Sequence, residues 1–136
     1  MGNREMENKK GGEVVKMVSE MENKKVGKVF VGNAFSVNML PAKATTILFR
    51  PISVEEAKEM LKNGFESAVG HDATAKALTL LLHIEIKTNR VAIKLDVGDK
   101  LIVFTIKQRL NEGQVIKSIK ELEEVGYDLF LVEVIS

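Results

Sequence analysis

The sequence predicts an α+β domain, a mixed sheet of about five strands with helices packed on it. Three observations carry that expectation. Apolar runs of strand length end at turn residues, as in "KVFVG", "TTILFR", "KLIVFTI" and "YDLFLVEVI". Apolar positions fall at helical spacing behind a start signal after Ser53 and again after His71. With 45% hydrophobic residues, 29% charged residues and two prolines, the composition is that of a folded globular chain. At 136 residues one domain is expected, large enough to bury roughly two-thirds of the surface its unfolded chain exposes.

Residues 1–27 stand apart as a polar N-terminal extension, and 28–136 read as the domain. "EMENKK" occurs at Glu5–Lys10 and again at Glu20–Lys25, separated by "GGEVVKMVS". Val14, Val18 and Met21 allow a short amphipathic helix there, but the stretch reads first as a frayed tail or an upstream start before Met21, and no chemistry is assigned to it. From Lys28, "KVFVG" predicts a buried strand, "NAFSVNMLP" a loop and "TTILFR" a second strand. Ser53 with Glu56 three residues on forms a capping box; Val54, Ala57 and Leu61 mark a helix face that Gly64 ends. Ala73, Ala77, Leu80, Leu81 and Ile84 predict a second helix that starts at or just after His71. "RVAIKLDV", the turn "GD" and "KLIVFTI" read as a hairpin whose second strand lies inside the sheet. Val115, Ile116, Ile119 and Leu122 predict a third helix closed by Gly126, and "YDLFLVEVI" a last buried strand.

Composition also excludes function classes. The chain has no cysteine, so it forms no disulfide and no thiolate metal site, in keeping with a reducing cytoplasm. No run reaches the roughly eighteen uninterrupted apolar residues of a bilayer span, and the polar N-terminus lacks a signal-peptide core. A cytoplasmic protein with no membrane partner is expected. A formal charge of +1 argues against a duplex-DNA coat but permits a local basic pocket for an anion. The phosphate-loop, dinucleotide and zinc-protease signatures are all absent.

The polar residues left at element ends are Asn33, Ser36 and Asn38 after the first strand, His71 at a helix start, Asn89 and Arg90 before the hairpin, and Gln108, Arg109 and Glu112 after it. A helix start presents unpaired N–H groups and the positive end of the dipole, which attract phosphate. Imidazole titrates near neutrality, so His71 could hold a proton when an anion arrives and release it to a leaving oxygen. The competing reading makes His71 a helix cap. His83, inside "LLLHIEI", reads as structural, and Arg109 with Glu112, taken alone, reads as an ordinary surface ion pair at helical spacing.

Four segments in order, "VGNAFSVNML", "VGHDATAKAL", "KTNRVAIKL" and "IKQRLNEGQV", closely resemble the viral ring nuclease family. These are anti-CRISPR proteins of archaeal viruses and bacteriophages that also have cellular relatives. The resemblance runs from about Lys28 to the C-terminus; each segment alone is weak, and the four in order are specific. It implies a homodimer that cleaves cyclic tetra-adenylate, the second messenger of type III CRISPR systems, into linear di-adenylates ending in 2′,3′-cyclic phosphate. It implies no metal and no cofactor. By position it makes His71 the catalytic acid, places Arg109 and Glu112 in the active site, and assigns Asn33, Ser36, Asn38, Arg90 and Gln108 to the ligand. Phe35 is the aromatic residue of the first loop available to an adenine. Many relatives carry an acid where Asn111 stands and a serine where Ala73 stands, so no role is carried over to those two positions.

The implied chemistry agrees with the residue inventory. Metal-free RNA cleavage uses the substrate's own 2′-hydroxyl, so the protein need only align it, stabilise charge and protonate the leaving oxygen. A ring of four identical nucleotides contains a two-fold axis, which a two-fold dimer matches with the same residues twice. Two other readings stay open: a module that sequesters the ring without cutting it, and an unrelated α/β interaction protein such as a DNA-binding dimer.

Overall fold

The computed structural model describes residues 27–44, 46–111 and 113–136; the extension expected over 1–27 lies outside them apart from Gly27. Five strands form one sheet: β1 (Val29–Gly32), β2 (Ile47–Pro51), β3 (Glu66–Ala68), β4 (Lys100–Ile106) and β5 (Tyr127–Val134), in the order β2-β5-β4-β1-β3. β1 runs parallel to both β3 and β4, while β5 is antiparallel to β4 and β2. The sheet is therefore mixed, as expected.

Alternation along the strands divides the core between two faces. Val31, Ile102, Phe104, Leu129 and Leu131 meet the helices on one face. Phe30, Leu101, Val103, Val132 and Val134 point the other way, where Ile93 and Leu95 cover them with help from Phe35, Met39 and Leu40. That second cover is the stretch expected to be the first strand of a hairpin. Its buried–exposed alternation is real, with Ile93 and Leu95 inward, but it lies outside the sheet because both edges of β4 are already taken, by β1 and β5. The fifth strand is β3 instead, whose sequence Glu-Ser-Ala has no apolar alternation to announce it.

Helix α1 (Val54–Leu61) starts on the expected capping box: Ser53 Oγ accepts from the Glu56 N–H at 3.1 Å, and Glu56 accepts from the Ser53 N–H at 3.3 Å. The Glu56 carboxylate also pairs with Arg50 on β2 at 2.9 Å, which fastens the helix start to the sheet. Helix α2 (Asp72–Leu82) buries Ala75, Ala77, Leu78, Leu81 and Leu82. It ends on His83, whose backbone is left-handed at φ 56° and whose N–H donates to Thr79; His83 is thus structural, as read. Helix α3 (Ile119–Val125) begins later than the apolar spacing from Val115 predicts. Ser118 is extended and its hydroxyl caps the Glu121 N–H at 3.1 Å, so the helix cannot run through it, and Ile116 reaches the core from irregular backbone. Gly126 closes the helix at φ 83°.

Candidate functional site

Three parallel strands, β1, β3 and β4, release the chain at the same end of the sheet, toward Asn33, Gly70–His71 and Gln108–Arg109. A crevice outside the carboxyl ends of such strands is where α/β sheets take ligands. Here it lies beside the N-terminus of α2. His71 is that helix's N-cap residue, extended at φ −126° and ψ 129°, yet its side chain makes no capping hydrogen bond. The imidazole is exposed. Between catalyst and cap, the geometry thus leaves the ring unoccupied by capping.

Two cavities meet at this point. The larger, about 790 Å³, is lined by Asn33, His71, Ala73, Thr74, Thr105, Gln108, Arg109, Asn111 and Gln114, among others. The smaller, about 400 Å³, is lined by Asn33, Gly70, His71, Arg90 and Ile93 with neighbouring apolar groups. Asn33 and His71 face both. Among the described residues no hydrogen bond or ion pair engages the side chains of Gln108 or Arg109.

The segment ahead of Arg90 is tied to β3 and α2. Ser67 Oγ donates to the Lys87 carbonyl at 2.6 Å, while the Asn89 side chain donates to the Ser67 carbonyl and its N–H to the Val69 carbonyl, both at 2.7 Å. Arg90 Nε donates to the Gly70 carbonyl at 2.7 Å, and Asn33 Oδ1 accepts from the Gly70 N–H at 3.0 Å. Asp72, the first residue of α2, accepts from Thr88 Oγ1 at 3.1 Å and pairs with Lys76 at 3.1 Å. Hydrogen bonds from Lys76 and then Thr88 hold the Asp72 carboxyl below its ordinary range.

The structure therefore brings together Asn33, His71, Arg90, Gln108 and Arg109. Ser36 and Asn38 line neither cavity. Ser36 caps the single 3-10 turn Val37–Met39 by accepting from the Asn38 N–H at 3.2 Å, and the Asn38 carbonyl accepts from Lys94. Phe35 also faces away, 6.3 Å from Phe49 in an aromatic group that continues to Phe130. Glu112 lies outside the described residues. Asp72, Thr88 and Asn89 belong to the framework of the site although sequence reasoning gave them no role. For Thr88 and Asn89 the signal was present as a polar cluster, "KTNR", set directly before an alternating apolar run. Among the described residues no group of three His, Asp or Glu side chains is placed to hold a metal ion, and no helix is long and apolar enough to cross a membrane.

An α+β domain whose parallel strands open toward a helix N-terminus, an exposed imidazole and a guanidinium gathers groups of the kind that attract anions. The chain belongs to the STIV B116-like family, whose profile matches residues 29–129, and this is the viral ring nuclease family that its four motifs resemble. It is similar to B116 of Sulfolobus turreted icosahedral virus, a solved structure 34% identical with a TM-score of 0.70, covering 79% of this chain and 99% of that one. Uncharacterized protein 26 of Sulfolobus islandicus filamentous virus (isolate Iceland/Hveragerdi) is 46% identical over 109 residues, 79% of this chain and 92% of the relative. A cellular relative, the uncharacterized protein YddF of Bacillus subtilis (strain 168), is 32% identical over 84 residues, 60% of this chain and 77% of that protein.

Proposed function

We propose that the protein is a metal-independent ring nuclease that opens cyclic tetra-adenylate into linear di-adenylates with 2′,3′-cyclic phosphate ends, antagonising type III CRISPR signalling in the host cytoplasm. The observation that carries this reading is the exposed His71 imidazole, unused by the helix it starts, on the wall between two cavities that also hold Arg109, Gln108, Asn33 and Arg90. Membership of the family supports it. Residues 28–136 are the nuclease domain, and 1–27 an extension to it.

In this mechanism a ribose 2′-hydroxyl attacks the adjacent phosphorus and yields its proton to solvent water, the bond from phosphorus to O5′ breaks, and protonated His71 delivers its proton to O5′ and is reprotonated from solvent. Arg109 and the first-turn N–H groups of α2 meet the charge that grows on the phosphoryl oxygens. Gln108, Asn33 and Arg90 hold the ring. We assign Glu112 to the active site, orienting or recharging His71 or holding a 2′-hydroxyl or water. No step needs a metal or a cofactor. The protein acts as a homodimer, which sets two copies of His71 against opposite phosphates of one ring and cuts it twice.

Labelled ring incubated with protein in excess EDTA tests this. The expected result is conversion of many equivalents of ring to di-adenylates. Ring that stays intact and bound in fixed ratio to protein contradicts cleavage and identifies a sequestering protein instead.

A further inference from the structure

We propose that Asn33 and Arg90 are positioning residues that clamp Gly70 from its two polar ends and so set where the His71 imidazole stands. The inference deepens the nuclease reading and rests on it for its catalytic consequence. Its geometry is independent of any ligand. Glycine has the widest backbone freedom of any residue, and one placed directly before a proton donor would let that donor swing. Gly70 sits there, outside the left-handed region, so conformation alone does not require a glycine. Its N–H is taken by Asn33 Oδ1 at 3.0 Å, and its carbonyl by Arg90 Nε at 2.7 Å. The carbonyl belongs to the peptide plane that carries the His71 nitrogen. Fixing one group on each side of the Gly70 α-carbon fixes both of its dihedral angles.

The two clamping groups are themselves anchored. Asn33 follows β1 directly, and Arg90 follows Asn89, whose two hydrogen bonds at 2.7 Å hold it to Ser67 and Val69 on the chain leading to Gly70. Thr88 adds a third tie, to Asp72 at the start of α2. His71 thus lies between a clamped glycine and a tethered first helical residue. The clamp uses Asn33 Oδ1 and Arg90 Nε, which leaves the Asn33 amide nitrogen and the terminal guanidinium nitrogens uncommitted in two residues that line the smaller cavity.

The test uses the full chain and compares wild type with Asn33→Ala and Arg90→Lys, the latter keeping the charge but losing the guanidinium fork. Asn33→Ala is expected to speed hydrogen exchange at the Gly70 amide about fivefold or more, the worth of one hydrogen bond. Both variants are expected to shift or broaden the His71 ring resonance, with His83 at the far end of α2 unmoved as the internal control. With ring substrate, kcat falls about tenfold, beyond the rise in KM that follows because both residues also hold the ring. Adding Gly70→Ala to either variant restores part of that loss, because alanine narrows backbone freedom. The added methyl is accommodated, 3.5 Å from Arg90 Cγ and 3.9 Å from Asn33 Oδ1. A His71 resonance unmoved in both variants overturns the clamp, as does a loss confined to KM that Gly70→Ala does not relieve. If wild type leaves the ring uncut, the nuclease reading fails by itself, and the exchange and resonance measurements still decide the clamp.

Discussion

His71 occupies a position where Ser, Thr, Asp or Asn is preferred, and it makes none of the hydrogen bonds those residues make there. A residue that serves a helix poorly but faces two cavities has the marks of a site kept for chemistry at some expense in stability. His71→Ser is therefore expected to stabilise the fold by about 1 kcal/mol, read as a higher Tm, while cleavage of the ring is lost. A fall in Tm contradicts this account of the cap. Arg109→Ala is expected to weaken ring binding and turnover together, by about tenfold or more for a charge-assisted phosphate contact; binding by calorimetry and rate by chromatography check it. At this scale the sequence was most informative where polar residues closed strands, since Asn33, Gln108 and Arg109 all follow strands that share one end of the sheet. Ser36 and Asn38 were drawn away because a serine two residues before an asparagine forms a local cap, which a sequence cannot distinguish from a ligand contact.

Helix α1 shows how much of an element is legible. Its start, Ser53 with Glu56, was readable because capping depends on spacing alone, and the structure contains both hydrogen bonds. What was not readable is the reach of Glu56 across to Arg50, six residues back on another element. Hydrogen bonds from Arg50 and from the Ser53 N–H hold the Glu56 carboxyl below its ordinary range. The sign follows from linkage: a carboxyl lowered in the folded state contributes stability that is complete above the unfolded value and lost as pH falls through the folded one. Glu56→Gln is expected to lower Tm at neutral pH and to make Tm fall less steeply on acidification than in wild type. An unchanged acid slope contradicts it. At the other end of α2, His83 holds a left-handed backbone that glycine adopts without strain. His83→Gly is expected to raise stability by about 0.5–1 kcal/mol and to leave ring cleavage intact, checked by thermal melts beside the activity assay. The late start of α3 has the same lesson as α1 in reverse, because the cap at Ser118 outweighs apolar spacing that continued upstream of it.

At the scale of the molecule, the misread hairpin is the instructive case. Alternation in "RVAIKLDV" correctly marked Ile93 and Leu95 as inward, but alternation specifies a face and not a partner strand. With β4 already flanked, that segment lies across the sheet instead, where it covers the second core and brings Arg90 to the smaller cavity, while Arg109 lines the larger. The topology that set it there also placed β3, three residues long and silent in sequence, so that its exit carries Gly70 and His71 into the crevice. The proposed dimer is tested at this scale. Calorimetry is expected to find one ring bound per two chains, and one ring per chain contradicts the two-fold arrangement. The measurement that bears most directly on the central claim is the single-turnover cleavage rate of His71→Ala beside its affinity for intact ring. The account predicts a rate lower by about 10²–10⁴-fold, the share of a general acid, with ring binding retained. Cleavage at the wild-type rate would contradict it.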